Sequence, residues 1–256
     1  MHKIRNKGTG KLKNFIKACV PALILLILWQ LAFLSGKWSA YVLPGPEKVW
    51  KSFVTMTGNG TLLKHVLVSF KRVLTGFSIS FVCAFCLGMI AALKKDLEVY
   101  YGPYVEFMRN VPPISLIALL ILWFGIGETS KIIIIVLASF FPMFMNIRKG
   151  LLSCDKKLLE VGKTCGLSKT ACFFKIRLPW AFPDILVGMR IGLGYSWRAI
   201  IAAGKGLGYL ILDAQQMSRS DKVIVGIFVI GLVGLLCDKA FLWIIRKWVR
   251  GGVENS

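Results

Sequence analysis

Acid is scarce in this chain and histidine scarcer: 256 residues hold 12 Asp and Glu against 33 Lys and Arg, and only His2 and His65. Each shortage removes a class of chemistry. No zinc set can be assembled from two isolated histidines. Both lie outside the long apolar runs, which excludes an intramembrane serine protease with a Ser–His pair, and the acids are too dispersed for a metal-dependent transferase. Seven cysteines (Cys19, Cys83, Cys86, Cys154, Cys165, Cys172, Cys237) make an odd, scattered set and no disulfide framework. Cys83 and Cys86 read C-x-x-C but lie inside an apolar run, where they are small packing residues. No cofactor or metal is expected. The phosphate-binding pattern G-x-x-x-x-G-K-[ST] is absent as well.

What is abundant is apolar sequence. Hydrophobic residues make up 56% and charged residues only 18%, with a mean hydropathy of +0.67. A soluble domain carries more charge. Here the charges cluster and leave long apolar runs between them, as in a polytopic membrane protein. The net charge of +21 flanks those runs without forming a stripe interleaved with aromatics, so nucleic acid is not the expected partner; membrane lipid is.

A helix crossing the hydrocarbon takes about 20 mostly apolar residues. Six segments qualify, near 18–35, 69–93, 104–125, 131–147, 181–203 and 223–245, predicting an all-α integral membrane protein with six transmembrane helices. The basic residues of 1–17 followed by a long apolar run, with no small-residue cleavage pattern at once, predict an uncleaved first helix. In the third segment Arg109, Asn110 and Pro112-Pro113 predict a kinked helix. Twenty basic residues fall in 1–17, 94–109, 148–177 and the tail, against eight in the alternate connections. The positive-inside rule then places both termini and 148–177 in the cytoplasm, with Lys71 and Arg72 narrowing the margin. On the outer side, 36–64 holds an amphipathic run with Val49, Trp50, Phe53 and Val54, suited to the interface. The apolar stretch Leu207–Leu212 predicts a turn buried against protein.

The most unusual cytoplasmic stretch is "EVGKTCGLSKTACFFKIRLP", Glu160 to Pro179. Lys157 to Thr164 can form two helical turns with Leu158, Val161 and Cys165 on one side, predicted to lie in an apolar seam facing inward with the lysines outside. Gly166 suits a C-cap needing positive φ, and Ser168 an N-cap. A second helix, Lys169–Arg177, carries Ala171, Phe174 and Leu178 on one face, and Pro179 is predicted to end it. Two readings fit: an amphipathic helix on anionic lipid, or a shaped contact with another protein. A turn fixed in place favours the second, since lipid binding demands none.

Glu160, Gly166, Ile176 and Pro179 fall at the spacing of the cytoplasmic "EAA…G…I-x-x-P" loop of binding-protein-dependent ABC transporter permeases. "FMRNVPPISLIALLILWFGIGETSK", "FFPMF" and "GLGYLILDA" resemble the nitrate/sulfonate/taurine branch of that family. The resemblance implies the type I permease fold, with the loop as a coupling helix. Glu160, Val161, Gly162, Gly166, Leu167, Ile176 and Pro179 would seat in a separate cytoplasmic ABC ATPase subunit. That subunit would use ATP, an extracytoplasmic solute-binding protein would deliver the solute, and two copies would form a homodimer. The implied layout is a basic N-terminus (1–17), a first helix (18–35), an extracytoplasmic loop (36–65), the permease domain (66–245) with the coupling loop at 150–180, and a cytoplasmic tail (246–256). The implied cargo is a small anion such as a sulfonate, taurine or nitrate; a thiamine-precursor pyrimidine or other vitamin is the alternative. The chain departs from the pattern at Val161 and Gly162, where Ala is usual, and at Gly204, where the branch has glutamate and a longer connection.

Three further residues could line a solute pathway: Arg190 and Arg198, eight apart in the fifth segment, and Trp197. Arginines at membrane depth usually face a cavity. Alternatively, Arg190 snorkels or pairs with Asp184, and Arg198 reaches the outer headgroups. Glu128 and Lys131 could contact the binding protein or form a helix-end pair. A simple channel is the competing function, and it would not need the shaped cytoplasmic unit.

Overall fold

Small residues recur every fourth position along two of the apolar runs: Gly76, Ser80, Ala84, Gly88 and Ala92 in one, Gly188, Gly192 and Ser196 in the other. In lipid, apolar side chains gain nothing by leaving one apolar medium for another. Helices therefore associate by close backbone approach across small residues. The computed structural model of the chain describes residues 7–201 and 205–253 and is helical, with no strand among those residues.

The elements are α1 (Lys7–Leu34), α2 (Pro46–Gly58), α3 (Thr61–Leu93), α4 (Glu98–Asn110), α5 (Ile117–Phe124), α6 (Glu128–Leu152), α7 (Lys156–Thr164), α8 (Lys169–Cys172), α9 (Leu178–Arg198), α10 (Leu207–Gln216) and α11 (Ser220–Val253). They fall into two units, the chain up to Leu62 with Leu210–Phe228, and Leu63–Tyr209 with the chain from Val229 on.

In the larger unit α6 is the central helix. On one side a Cβ at Gly76 would lie 2.6 Å from Ile135 Cγ2 and one at Gly88 3.0 Å from Ile147 Cγ2, so α3 rides directly on α6. On the other side a Cβ at Gly188 would lie 2.8 Å from Asn146 Cβ, and one at Gly150 2.6 Å from Asp184 Cβ. Ser80 Oγ donates to the Val136 carbonyl at 3.1 Å, a side-chain bond across the α3–α6 seam. Ala84, Met143, Ile147, Leu151 and Ala181 are fully buried along these seams.

The third predicted segment, 104–125, is not one kinked helix. α4 and the helical stretch Pro113–Phe124 meet at 89°. Val111 is extended (φ −75°, ψ 119°), the conformation that a following proline imposes, and Pro112 and Pro113 supply no N–H to bridge the bend. Beyond the bend, 4 residues of 3₁₀-helix at ~2.0 Å each and the 8 of α5 at ~1.5 Å each rise only ~20 Å, against ~30 Å of hydrocarbon. Apolar content averaged over the segment conceals this break. α4 is tied back to α6 by an ion pair between Glu98 and Arg148.

Among the described residues three helices are long and apolar enough to cross a membrane, Thr61–Leu93, Glu128–Leu152 and Ser220–Lys247, with Val20–Leu34 a shorter apolar helix. α9 covers the fifth predicted segment, whose expected end at 203 lies outside the described residues, as does Gly204. The turn of the "WFGIGETS" block is set by Gly125, whose φ of +75° and ψ of 177° only glycine adopts readily. Ser130 Oγ donates back to the Gly125 carbonyl at 2.5 Å, closing the hairpin between α5 and α6.

In the smaller unit Trp29 Nε1 donates to the Pro44 carbonyl at 3.0 Å, holding α1 to the loop before α2. Asp221 is buried and accepts from Arg219 at 2.8 and 3.0 Å and from Ser52. Trp50 and Val54 of the predicted interfacial run are exposed on α2.

The seams generate a stability prediction. Gly188→Leu overpacks a backbone contact, which costs about 1–3 kcal/mol and lowers the thermal midpoint of the detergent-purified protein by roughly 3–10 °C. Gly231→Leu, on α11 where an added Cβ would meet no atom within 4 Å, leaves the midpoint within about 1 °C. Scanning fluorimetry of both variants beside the wild type reads the difference.

Candidate functional site

The stretch from Asp155 to Pro179 is built by local capping chemistry. Asp155 Oδ1 accepts from Lys157 N at 2.9 Å and starts α7. At its other end the Leu167 N–H donates to Gly162 O (3.0 Å) and the Gly166 N–H to Lys163 O (2.9 Å), the paired bonds of a Schellman ending. That ending needs a residue at positive φ, and Gly166 sits at +77°. Ser168 Oγ then accepts from Ala171 N at 3.2 Å and starts α8. The predicted caps at Gly166 and Ser168 are both present, and Asp155 is a cap that the sequence reading passed over.

Two expectations for this unit are overturned. Pro179 does not end the second helix. The chain runs on through a wide π turn, Phe173–Arg177, straight into α9. Proline lacks the N–H that would meet Lys175, and its ring crowds that carbonyl. Opening the turn, with Leu178 N bonding Phe173 O five residues back, accommodates both. Nor do Leu158, Val161 and Cys165 face inward. Leu158 is 40% and Val161 58% exposed, Cys165 is exposed, and Phe174 is 57% exposed on the second helix. The inward face is made by Gly162, Cys172, Phe173 and Ile176.

The reason is the glycine. A Cβ at Gly162 would lie 2.5 Å from Ile176 Cδ1 and 3.2 Å from Cys172 Sγ, so α7 lies against the π turn through its barest face. Two of the motif positions, Gly162 and Ile176, therefore hold the unit together. Glu160, Val161 and Pro179 are exposed, while Leu167 is half-buried at the turn. Lys156, Lys157, Lys163 and Lys169 are exposed on the same two short helices. Cys154, just before α7, is buried, and desolvation pushes its thiol up from the ordinary range.

At the opposite end of α6, Glu128 and Lys131 form the helix-end pair, Nζ to Oε1 at 3.0 Å. The dominant partner is a residue counted in the sequence only as a charge. Arg72, 4% exposed on α3, donates from Nε and Nη2 to both Glu128 oxygens at 2.7 Å, and from Nη2 to the Lys205 carbonyl at 2.7 Å. Lys131 is 6% exposed, so of the two predicted contact residues only Glu128 presents a surface. Nearby Ser69 Oγ accepts from Leu207 N at 2.8 Å, and Leu207 is fully buried, so the "GLGY" segment is pinned to α3. The signal for Arg72 was available: a cation at the mouth of an apolar helix requires a partner.

The fifth-segment residues divide by role. Arg190 makes two bonds to Asp238 on α11, at 2.7 and 2.9 Å, and not the pair with Asp184. Trp197 is buried, donates from Nε1 to the Ile230 carbonyl at 2.8 Å, and fills the space left by Gly234. Its role is to join α9 to α11. Arg198 is exposed with its guanidinium 5.1 Å from the Tyr195 ring centroid. All three line one cavity of 440 Å³.

The sequence profile of the binding-protein-dependent transport system inner membrane components matches residues 84–250. A permease named for aliphatic sulfonate transport, SsuC of Bacillus subtilis (strain 168), is 33% identical over 252 residues, covering 96% of this chain and 91% of its own length. Its namesake from Escherichia coli (strain K12) is 37% identical over 231 residues, 88% of each chain. A crystal structure of an amino acid ABC transporter with histidines superposes with a TM-score of 0.60 at 16% identity, over 76% of this chain and 98% of that one, which establishes the shared type I permease fold. With its α6-centred bundle and its helix–Gly–helix unit between the fourth and fifth segments, this chain belongs to the binding-protein-dependent inner membrane transport components, as an SsuC-like multi-pass ABC permease.

Proposed function

We propose that this chain is the membrane-spanning subunit of an ATP-driven importer for a small organic anion of the sulfonate class, working as a homodimer. The single observation that carries the reading is that Leu158, Val161 and Phe174 are left exposed, together with four lysines, on a unit whose shape is fixed by caps. Burying such side chains on a partner is worth roughly 25 cal/mol per Å² of apolar surface, a gain that exposure to water forgoes. A groove with an acidic rim on a cytoplasmic ATPase is the complementary surface, and the exposed Glu160 sets register within it.

Because α8, the π turn and α9 are one helical rod, force on the docked unit passes into a membrane helix with no loop to absorb it. ATP is hydrolysed in the partner, this chain holding no phosphate loop. The solute arrives from an extracytoplasmic binding protein, for which the exposed side of Glu128 offers a contact. The cargo class follows the sulfonate permeases to which the chain is similar.

Two outcomes test this. Affinity-purified permease is expected to retain an ATPase subunit, and Glu160→Lys or Gly166→Pro to lose it without change in monodispersity; a proline cannot adopt the +77° φ of that turn. Wild-type protein that never retains an ATPase would sink the proposal. For orientation, a membrane-impermeant maleimide is expected to label exposed Cys165 in inverted vesicles and not in intact cells, with buried Cys154 slower because its thiol is held protonated. Labelling of Cys165 from the outside reverses the assignment.

A further inference from the structure

The right-angle break at Val111–Pro112 leaves space beside α6 and α9. One cavity of 350 Å³ lies against it, reaching Arg109 and Asn110 at one side and Phe141 and Tyr195 at the other. A second, of 230 Å³, adjoins it through shared walls at Pro113, Ala138 and Tyr195 and ends at Arg198. Joined, they reach the size of small-molecule sites, about 300–1,000 Å³.

Their chemistry is divided. Between the two arginines the walls are Ile114, Ile117, Ile134 and Leu137, with Phe141 beyond. Among the described residues Arg198 has no carboxylate partner and rests only on the Tyr195 ring, whereas Arg190 is spent on Asp238. Arg109 has a single contact with Glu106 at 3.4 Å on the exposed side of α4. Cations so placed at the ends of an apolar cavity call for an anion. A guanidinium donates two parallel bonds to a planar or tetrahedral oxyanion.

We infer that the joined cavities are a selective site for an anion bearing a short apolar tail, an alkanesulfonate, with the sulfonate at Arg198 and the tail against the isoleucine wall. Arg109 receives the anion at the far mouth. This rests on the import reading and adds selectivity to it, since an inorganic anion such as nitrate has no tail and gains nothing from the apolar walls.

The test is uptake of butane-1-sulfonate and of methanesulfonate by cells carrying the intact transporter, beside cells lacking the permease. Arg198→Leu is expected to lower butane-1-sulfonate uptake about 30-fold, the scale of removing one partner of a desolvated charge pair. Arg198→Lys is expected to keep uptake within about 5-fold of wild type, because a cation remains. Ala138→Leu, which fills the shared wall and leaves both arginines, is expected to slow butane-1-sulfonate about 5-fold more than methanesulfonate. Membrane abundance and ATPase co-purification are read for each variant. Full uptake in Arg198→Leu, or equal slowing of both anions in Ala138→Leu, overturns the site while leaving the import reading intact. Should Arg198→Leu fail to accumulate, the other two variants decide. Wild-type cells that take up no more of either anion than the null overturn both.

Discussion

Backbone contact across missing side chains is the constraint on which this molecule depends. Within lipid there is no hydrophobic gain in pairing two apolar helices, so α3 and α9 are held to α6 by approach close enough for dispersion and for bonds such as Ser80 to the Val136 carbonyl. Gly76, Gly88, Gly150 and Gly188 set that distance. The same device recurs outside the bilayer, where Gly162 lets α7 lie on Ile176. The bundle seams and the helix–Gly–helix unit are thus rigid for one reason: the helices meet at backbone distance and leave no compressible layer between them.

Charge obeys a complementary rule. At membrane depth a cation must be paired or face a cavity, and the structure sorts its arginines accordingly. Arg72 is closed by Glu128 and a carbonyl, Arg190 by Asp238, and Arg148 by Glu98. Arg198 alone among these four has an aromatic face in place of a carboxylate. The three paired residues fasten helices; the fourth borders the cavities beside the broken span.

What could be read from sequence was what is decided locally. The helix–Gly–helix unit was legible because Gly166 and Ser168 act on neighbours within a few residues. The every-fourth-residue seams are present as a spacing of small residues, but they gain meaning only with the structure, because nothing in that spacing names the helix each would meet. Three things were hidden. The Arg72–Glu128 pair spans 56 positions, and nothing in either neighbourhood names the other. The inward face of α7 was misassigned because its apolar residues point out and its packing residue is a glycine, which carries no hydrophobic signal. The break at Val111 was softened by averaging, since the apolar content of 104–125 continues across it while the backbone turns through 89°.

In the proposed function the capped helix–Gly–helix unit, continuous with a membrane helix, lets a partner's chemistry move an anion uphill. Reconstitution of the permease with its ATPase and binding protein in proteoliposomes tests this most directly, by following alkanesulfonate inside the vesicle with ATP supplied on the side of the 155–178 unit. The account predicts accumulation above the outside concentration with ATP and almost none without it. Equilibration down the gradient at the same rate with and without ATP would contradict it and mark the protein as a channel.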